Sequence, residues 1–179
     1  VSNEPPASKI GDSGQGSPRL IAIGAVDIDR VRDLWEQMRL TYLEISPQHP
    51  IRGAEESWVR RRATYQKHLS SDSGFILGLE GISGHLLAFA AVKLIEPSAV
   101  FAWSDMVAEL ETLVVEADAR SGGLGANLLE AVRDEARARG CGELQVSVLG
   151  TNERASRFYR RLGFTDWIIT LHDTAAAVQ

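Results

Sequence analysis

Residues 119–132 read ARSGGLGANLLEAV, with three glycines in four positions followed by an apolar run. Leu124, Leu128, Ala131, Val132 and Ala136 fall at i, i+4, i+7, i+8 and i+12. That spacing predicts one buried face of an amphipathic helix, ended by Gly140. Just before the glycines, VAELETLVV (107–115) has the composition of a strand. A strand that enters a helix through a glycine-rich turn presents several unpaired N–H groups at the positive end of the helix dipole. Such a turn suits phosphate: a Cβ would hold the anion away from the backbone, and some positions call for positive φ.

Outward from this turn the chain divides into alternating patterns. RLIAIGA (19–25) reads as a strand, and Asp27 is a candidate N-cap for a helix carrying Val31, Leu34, Trp35, Met38, Tyr42 and Ile45 to the Ser46-Pro47 stop. SPQHPIRG is a loop, and Trp58, Tyr65 and Leu69 give a second helix its buried stripe, with Arg60-Arg61-Arg62 on a solvated face. GFILGLEG and HLLAFAAVKLI form a hairpin through Ile82-Ser83-Gly84. After the glycine helix, ELQVSVL reads as a strand, NERASRFYRRL as a short helix and FTDWIITL as a last strand. The predicted order is β-α-α-β-β-β-α-β-α-β, an α/β fold with a single mixed, mostly antiparallel sheet flanked by helices.

Composition narrows the setting. At 179 residues the chain is expected to be one domain over residues 19–179, and residues 1–18, rich in Ser, Gly and Pro, a flexible tail. The net charge of −5 argues against undirected affinity for nucleic acid or anionic membrane. No apolar run reaches the roughly 18 residues of a membrane span, and the N-terminus lacks a signal-peptide layout. Cys141 is the single cysteine, so no internal disulfide forms, and a reducing, cytoplasmic location is expected. His68, His85 and His172 have no ligand spacing, so no metal is expected; His49 reads as a solvated loop residue.

Two nucleotide motifs are excluded at the turn. After Gly125 stand Ala126-Asn127, where a P-loop needs Lys-Ser/Thr, and Leu128 occupies the third glycine of the dinucleotide pattern. What Arg120-Ser121-Gly122-Gly123-Leu124-Gly125 does match is Arg-x-x-Gly-x-Gly, placed after the strand end Leu113-Val114-Val115. It resembles the acetyl-coenzyme A binding motif of the GCN5-related N-acetyltransferases. A second segment, Asn152-x-x-Ala155-x-x-Phe158-Tyr159-x-x-x-Gly163-Phe164, is similar to another motif of that family. Read alone, it makes Asn152 an N-cap and Gly163 a C′ residue, with Asn152, Ala155 and Tyr159 on one helix face.

The resemblance implies the acyl-CoA N-acyltransferase fold, acetyl-CoA as cosubstrate and transfer of an acetyl group to a primary amine of a small molecule or peptide. It implies that Leu113, Val114 and Val115 meet the pantetheine arm, that Arg120 through Ala126, namely Arg120, Ser121, Gly122, Gly123, Leu124, Gly125 and Ala126, hold the pyrophosphate, and that Asn152, Ala155 and Tyr159 also contact the coenzyme. Tyr159 is the candidate general acid, with aromatic packing as its alternative. Glu109 or Glu111 is the candidate base, directly or through water; period-2 alternation predicts that both face the same side as Leu113 and Val115. Trp103 and Asp105 are candidate liners of the acceptor pocket. A homodimer is compatible with this reading, and a non-catalytic acyl-CoA sensor is the alternative function.

Overall fold

The computed structural model describes residues 17–100 and 104–171. Most of the predicted tail, Trp103 and His172 therefore lie outside the described residues. Among those residues the chain forms β1 (Arg19–Ala22), α1 (Arg32–Ile45), α2 (Ala54–Ser70), β2 (Gly74–Glu80), β3 (Leu86–Ile95), β4 (Val107–Val115), α3 (Leu124–Ala138), β5 (Glu143–Val146) and α4 (Glu153–Arg161). The five strands lie side by side in sequence order. β1 through β4 pair antiparallel, and β5 joins β4 in parallel, a pairing that requires the crossover supplied by α3.

Alternation along the strands gives the sheet two apolar faces, each covered by helices. Phe75, Leu77, Leu79, Ala88, Ala90, Val92 and Leu110 pack against Leu128, Leu129 and Val132 of α3 and Tyr159 of α4. On the other face Ile76, Phe89, Ala91 and Val114 meet Leu34 and Trp35 of α1 and Trp58 and Tyr65 of α2. Here α1 and α2 touch through Trp35 and Trp58, whose ring centroids are 5.6 Å apart. Acidic Glu55 and Glu56 begin α2 and Lys67 and His68 end it, an arrangement that opposes the helix dipole favourably at both ends.

Three local expectations are corrected. First, a 3-10 turn over Ala25–Val31 precedes α1, with Gly24 at its cap position, so Asp27 lies inside the turn and does not cap the helix. Second, β5 stops at Val146, three residues short of the predicted strand, because its pairing with β4 ends at Leu110↔Val146.

Third, the expected last strand is absent from the described residues: the chain after α4 carries no regular structure through residue 171. Phe164 still packs against the α3 face, and Arg160 pairs with Asp166 at 2.9 Å. Beyond that point Ile168, Ile169 and Leu171 are exposed. Apolar composition alone does not make a strand; it needs a neighbouring edge long enough to pair, and β5 offers four residues.

The sheet contains one irregularity that decides the site. Between β3 and β4, Ala91 pairs with Thr112 whereas Val92 pairs with Leu110, so Glu111 is an extra residue without a partner in the ladder. Alternation slips by one at this bulge. Glu109 and Glu111 consequently share the α2 face with Thr112 and Val114, while Leu113 and Val115 pack on the α3 face. The expectation that the two glutamates face with Leu113 and Val115 is overturned, because period-2 reasoning holds only along an unbroken ladder.

Candidate active site

The glycine turn joins the C-terminal end of β4 to α3. A short 3-10 turn, Ala117–Ala119, leads to Arg120, whose Nε donates to the Val115 carbonyl at 3.0 Å and ties the turn to the strand it leaves. Ser121 and Gly123 both adopt positive φ, 75° and 78°, which reverses the chain so that α3 starts at Leu124. Gly123 O accepts from the amides of Ala126 and Asn127. The first-turn amides before them have no intrahelical carbonyl to reach. No acidic side chain stands in this first turn, so the positive end of the helix is not compensated there.

These amides open on a groove of about 670 Å³. Its walls come from the two strands that part after Leu110 and Val146: residues 111–115 on one side and residues 146–149 on the other. Once separated, these strand ends turn toward the groove the backbone groups they would otherwise have exchanged. Arg120, Arg154 and Arg161 add three cationic side chains to the lining. Unpaired amides, positive charge and two parted strand edges together fit a ligand that carries an anionic group and backbone-like hydrogen-bonding groups.

The second motif builds the groove's floor from α4. Asn152 Oδ1 accepts from the Ala155 amide at 3.1 Å and caps the helix. At its other end Gly163 takes φ 89°, letting the Phe164 amide reach back to the Tyr159 carbonyl at 3.1 Å. This closure sets the Phe164 ring 5.3 Å from the Tyr159 ring, with Phe158 5.1 Å away, both edge to face. The Tyr159 ring is held on a nine-residue helix by rigid neighbours. Burial pushes its phenol above the ordinary value of 10.0, and Tyr42 nearby adds to the shift.

Of the two candidate carboxylates, Glu111 lines the groove together with Tyr42 and Tyr159. Glu109, on the same sheet face two residues before Glu111, is paired with Lys93 at 3.1 Å and accepts from Gln145 at 3.4 Å. Around Glu111, α2 supplies three residues at i, i+4 and i+7. Arg61 Nη1 donates to Glu111 Oε1 at 3.4 Å, the Tyr65 hydroxyl and Thr112 Oγ1 are 2.6 Å apart, and His68 Nδ1 stands 3.3 Å from Glu111 Oε2. Arg61 also lies over the Tyr65 ring, 5.4 Å from its centroid. Sequence reasoning left Arg61 on a solvated face and His68 unassigned; their common spacing with the buried Tyr65 was the available signal.

The remaining residues lie elsewhere or do other work. His49 Nδ1 is 2.7 Å from the buried Ser46 hydroxyl, and Asp105 is exposed. Cys141 packs in the α3-side core, where burial raises its thiol above the ordinary range. Among the described residues no three His, Cys, Asp or Glu side chains gather to hold a metal ion, and no helix is long and apolar enough to cross a membrane.

Comparison with known proteins bears on the family and the fold. Residues 32–164 match the acetyltransferase (GNAT) family. A curated relative, the thialysine N-epsilon-acetyltransferase of Bos taurus, is 33% identical over 64 residues, which are 36% of this chain and 38% of that protein. The fold is similar to that of a GCN5-related N-acetyltransferase from Ralstonia eutropha (TM-score 0.70, 20% identity, 89% of this chain and 99% of that one). It is also similar to the aminoglycoside N-acetyltransferase AAC(6')-Iy in complex with CoA (TM-score 0.68, 18% identity, 92% and 99%).

Proposed function

We propose, from the premise that this chain belongs to the acetyltransferase (GNAT) family, that it transfers an acetyl group from acetyl-CoA to a primary amine of a small molecule or peptide. One observation carries the reading: a single groove is lined by the α3 glycine turn, Tyr159 and Glu111. The amides of residues 122–126 and the guanidinium of Arg120 hold the pyrophosphate at the positive end of α3. The pantetheine arm runs along Leu113, Val114 and Val115 toward Asn152 and Ala155. The thioester then rests between Tyr159 and Glu111.

Each residue has a defined step. The acceptor arrives as an ammonium, and Glu111, directly or through one water, removes the proton that blocks its lone pair. The amine nitrogen bonds to the thioester carbonyl carbon, gives up its second proton to water, and the C–S bond breaks. Tyr159, which carries its phenolic proton at neutral pH as any tyrosine does, supplies that proton to the departing thiolate. The free thiol and the N-acetyl product leave, and Glu111 and Tyr159 return to their starting states by exchange with solvent. Glu109, committed to Lys93 and Gln145, has a structural role in this scheme.

The test is thiol release from acetyl-CoA against a panel of amino acids, polyamines, aminoglycosides and short peptides, with isothermal titration of the coenzyme alongside. Acceptor-dependent release is expected. Coenzyme binding without release from any acceptor would favour a sensor, and failure to bind would overturn the assignment of the turn.

A further inference from the structure

Glu111 Oε2 and His68 Nδ1 are both buried and face one another at 3.3 Å, yet neither makes a hydrogen bond within the described residues. Two orphaned polar atoms side by side in a protein interior cost free energy unless they serve each other or the chemistry beside them. A small turn of the imidazole aligns them as donor and acceptor. The approach itself is built in: at Gly74, beneath the end of α2, a Cβ would stand 3.1 Å from His68 Cβ and 2.4 Å from the Val92 carbonyl. Only glycine lets His68 settle this close to the sheet.

From this geometry we infer that His68 is a positioning residue for acetyl transfer, its Nδ1–H holding Glu111 Oε2 so that the other carboxylate oxygen is presented to the acceptor amine. The inference rests on the reading of Glu111 as the base. A bulged residue has no ladder partner to orient it, so its side chain needs an external hold. Arg61 supplies one at Oε1, long at 3.4 Å and partly exposed, which leaves that oxygen free to exchange partners. His68 supplies the second, at the buried oxygen. The division assigns Oε1 to chemistry and Oε2 to placement.

The experiment uses the full chain, with thiol release from acetyl-CoA measured for the best acceptor of the panel. His68→Leu should lower kcat about tenfold or more, a part of the roughly hundredfold or greater contribution of the general base it positions, with coenzyme affinity by titration unchanged. His68→Asn, whose amide nitrogen falls near the place of Nδ1, should recover activity to within about threefold, whereas His68→Gln, whose amide falls near Nε2, should not. In a Glu111→Gln background His68→Leu should cause no further loss, because both act through one carboxylate.

Equal activity in the Leu and Asn variants, or full additivity with Glu111→Gln, would overturn the positioning role while leaving Glu111 as base. Unchanged kcat in Glu111→Gln alone would overturn both. If the leucine variant does not fold, as thermal unfolding would reveal, the Asn and Gln variants decide the question between them.

Discussion

Phe158 closes over Gly125 so tightly that a Cβ there would lie 3.3 Å from Phe158 Cζ, with Val115 Cγ2 at 3.4 Å on its other side. The first-turn glycine of α3, the end of β4 and the aromatic residue of α4 thus meet at one point, and both sequence motifs depend on it. Gly125→Val places a branched side chain where even a Cβ makes Phe158 give way. Overpacking of this kind costs about 1–3 kcal/mol. Denaturant unfolding should register that loss, and an unchanged midpoint would mean that Phe158 moves aside freely.

Gly123 differs in kind. A Cβ at this position would meet nothing within 4 Å of the chain, yet φ is 78°. Gly123→Val therefore combines backbone strain of about 1–2 kcal/mol with a side chain projecting from the turn. Coenzyme affinity measured by calorimetry should fall more than about tenfold, a loss worth about 1.4 kcal/mol or more. Gly123→Asn separates the two effects, since asparagine tolerates this region: weakened binding in the asparagine variant reports intrusion on the ligand, and normal binding in both variants would refute the pyrophosphate site.

Tyr159→Phe removes one hydroxyl and keeps the ring between Phe158 and Phe164. If the hydroxyl protonates the departing thiolate, kcat should fall by about two orders of magnitude with coenzyme affinity nearly unchanged. Turnover at the native rate would reduce Tyr159 to a packing role.

Stability should decline in alkali. Burial raises the phenols of Tyr65 and Tyr159 above the 10.0 at which they titrate in an unfolded chain. Above pH 10 the unfolded chain releases protons that the folded one retains, so stability is complete below that pH and is lost as pH rises toward the folded values. Melting temperatures between pH 8 and 11.5 should trace this fall. Tyr65→Phe should flatten it, at a cost of about 1 kcal/mol at every pH for the lost bond to Thr112. A profile equally steep in Tyr65→Phe would exclude Tyr65 as its source.

What could be read from the chain was what local rules determine. The glycine turn, the face of α3, the Asn152 cap and the Gly163 terminus each involve residues within a few positions of one another, and the structure places them as expected. The bulge at Glu111 is a mismatch between two strands about twenty residues apart, and nothing in VAELETLVV announces it. The same limit hid Arg61 and His68: helical spacing tells which residues share a face with Tyr65, not that the carboxylate of a bulged residue lies beneath them. The missing last strand reflects it too, since apolar side chains signal the wish for a partner and not its presence.

The extra residue in β4 also sets this protein's stability against its activity. Without Glu111, Leu110 and Thr112 would be consecutive, their pairing with Val92 and Ala91 would become regular, and every neighbouring side chain would keep its face. A single-codon deletion would then mend the ladder, relieve the buried carboxylate beside His68 and yield a chain at least as stable, while removing the group proposed to accept the proton. Selection for robustness alone would favour that loss. In this chain the irregular strand gives up regular pairing at the one position where the proposed chemistry needs a carboxylate.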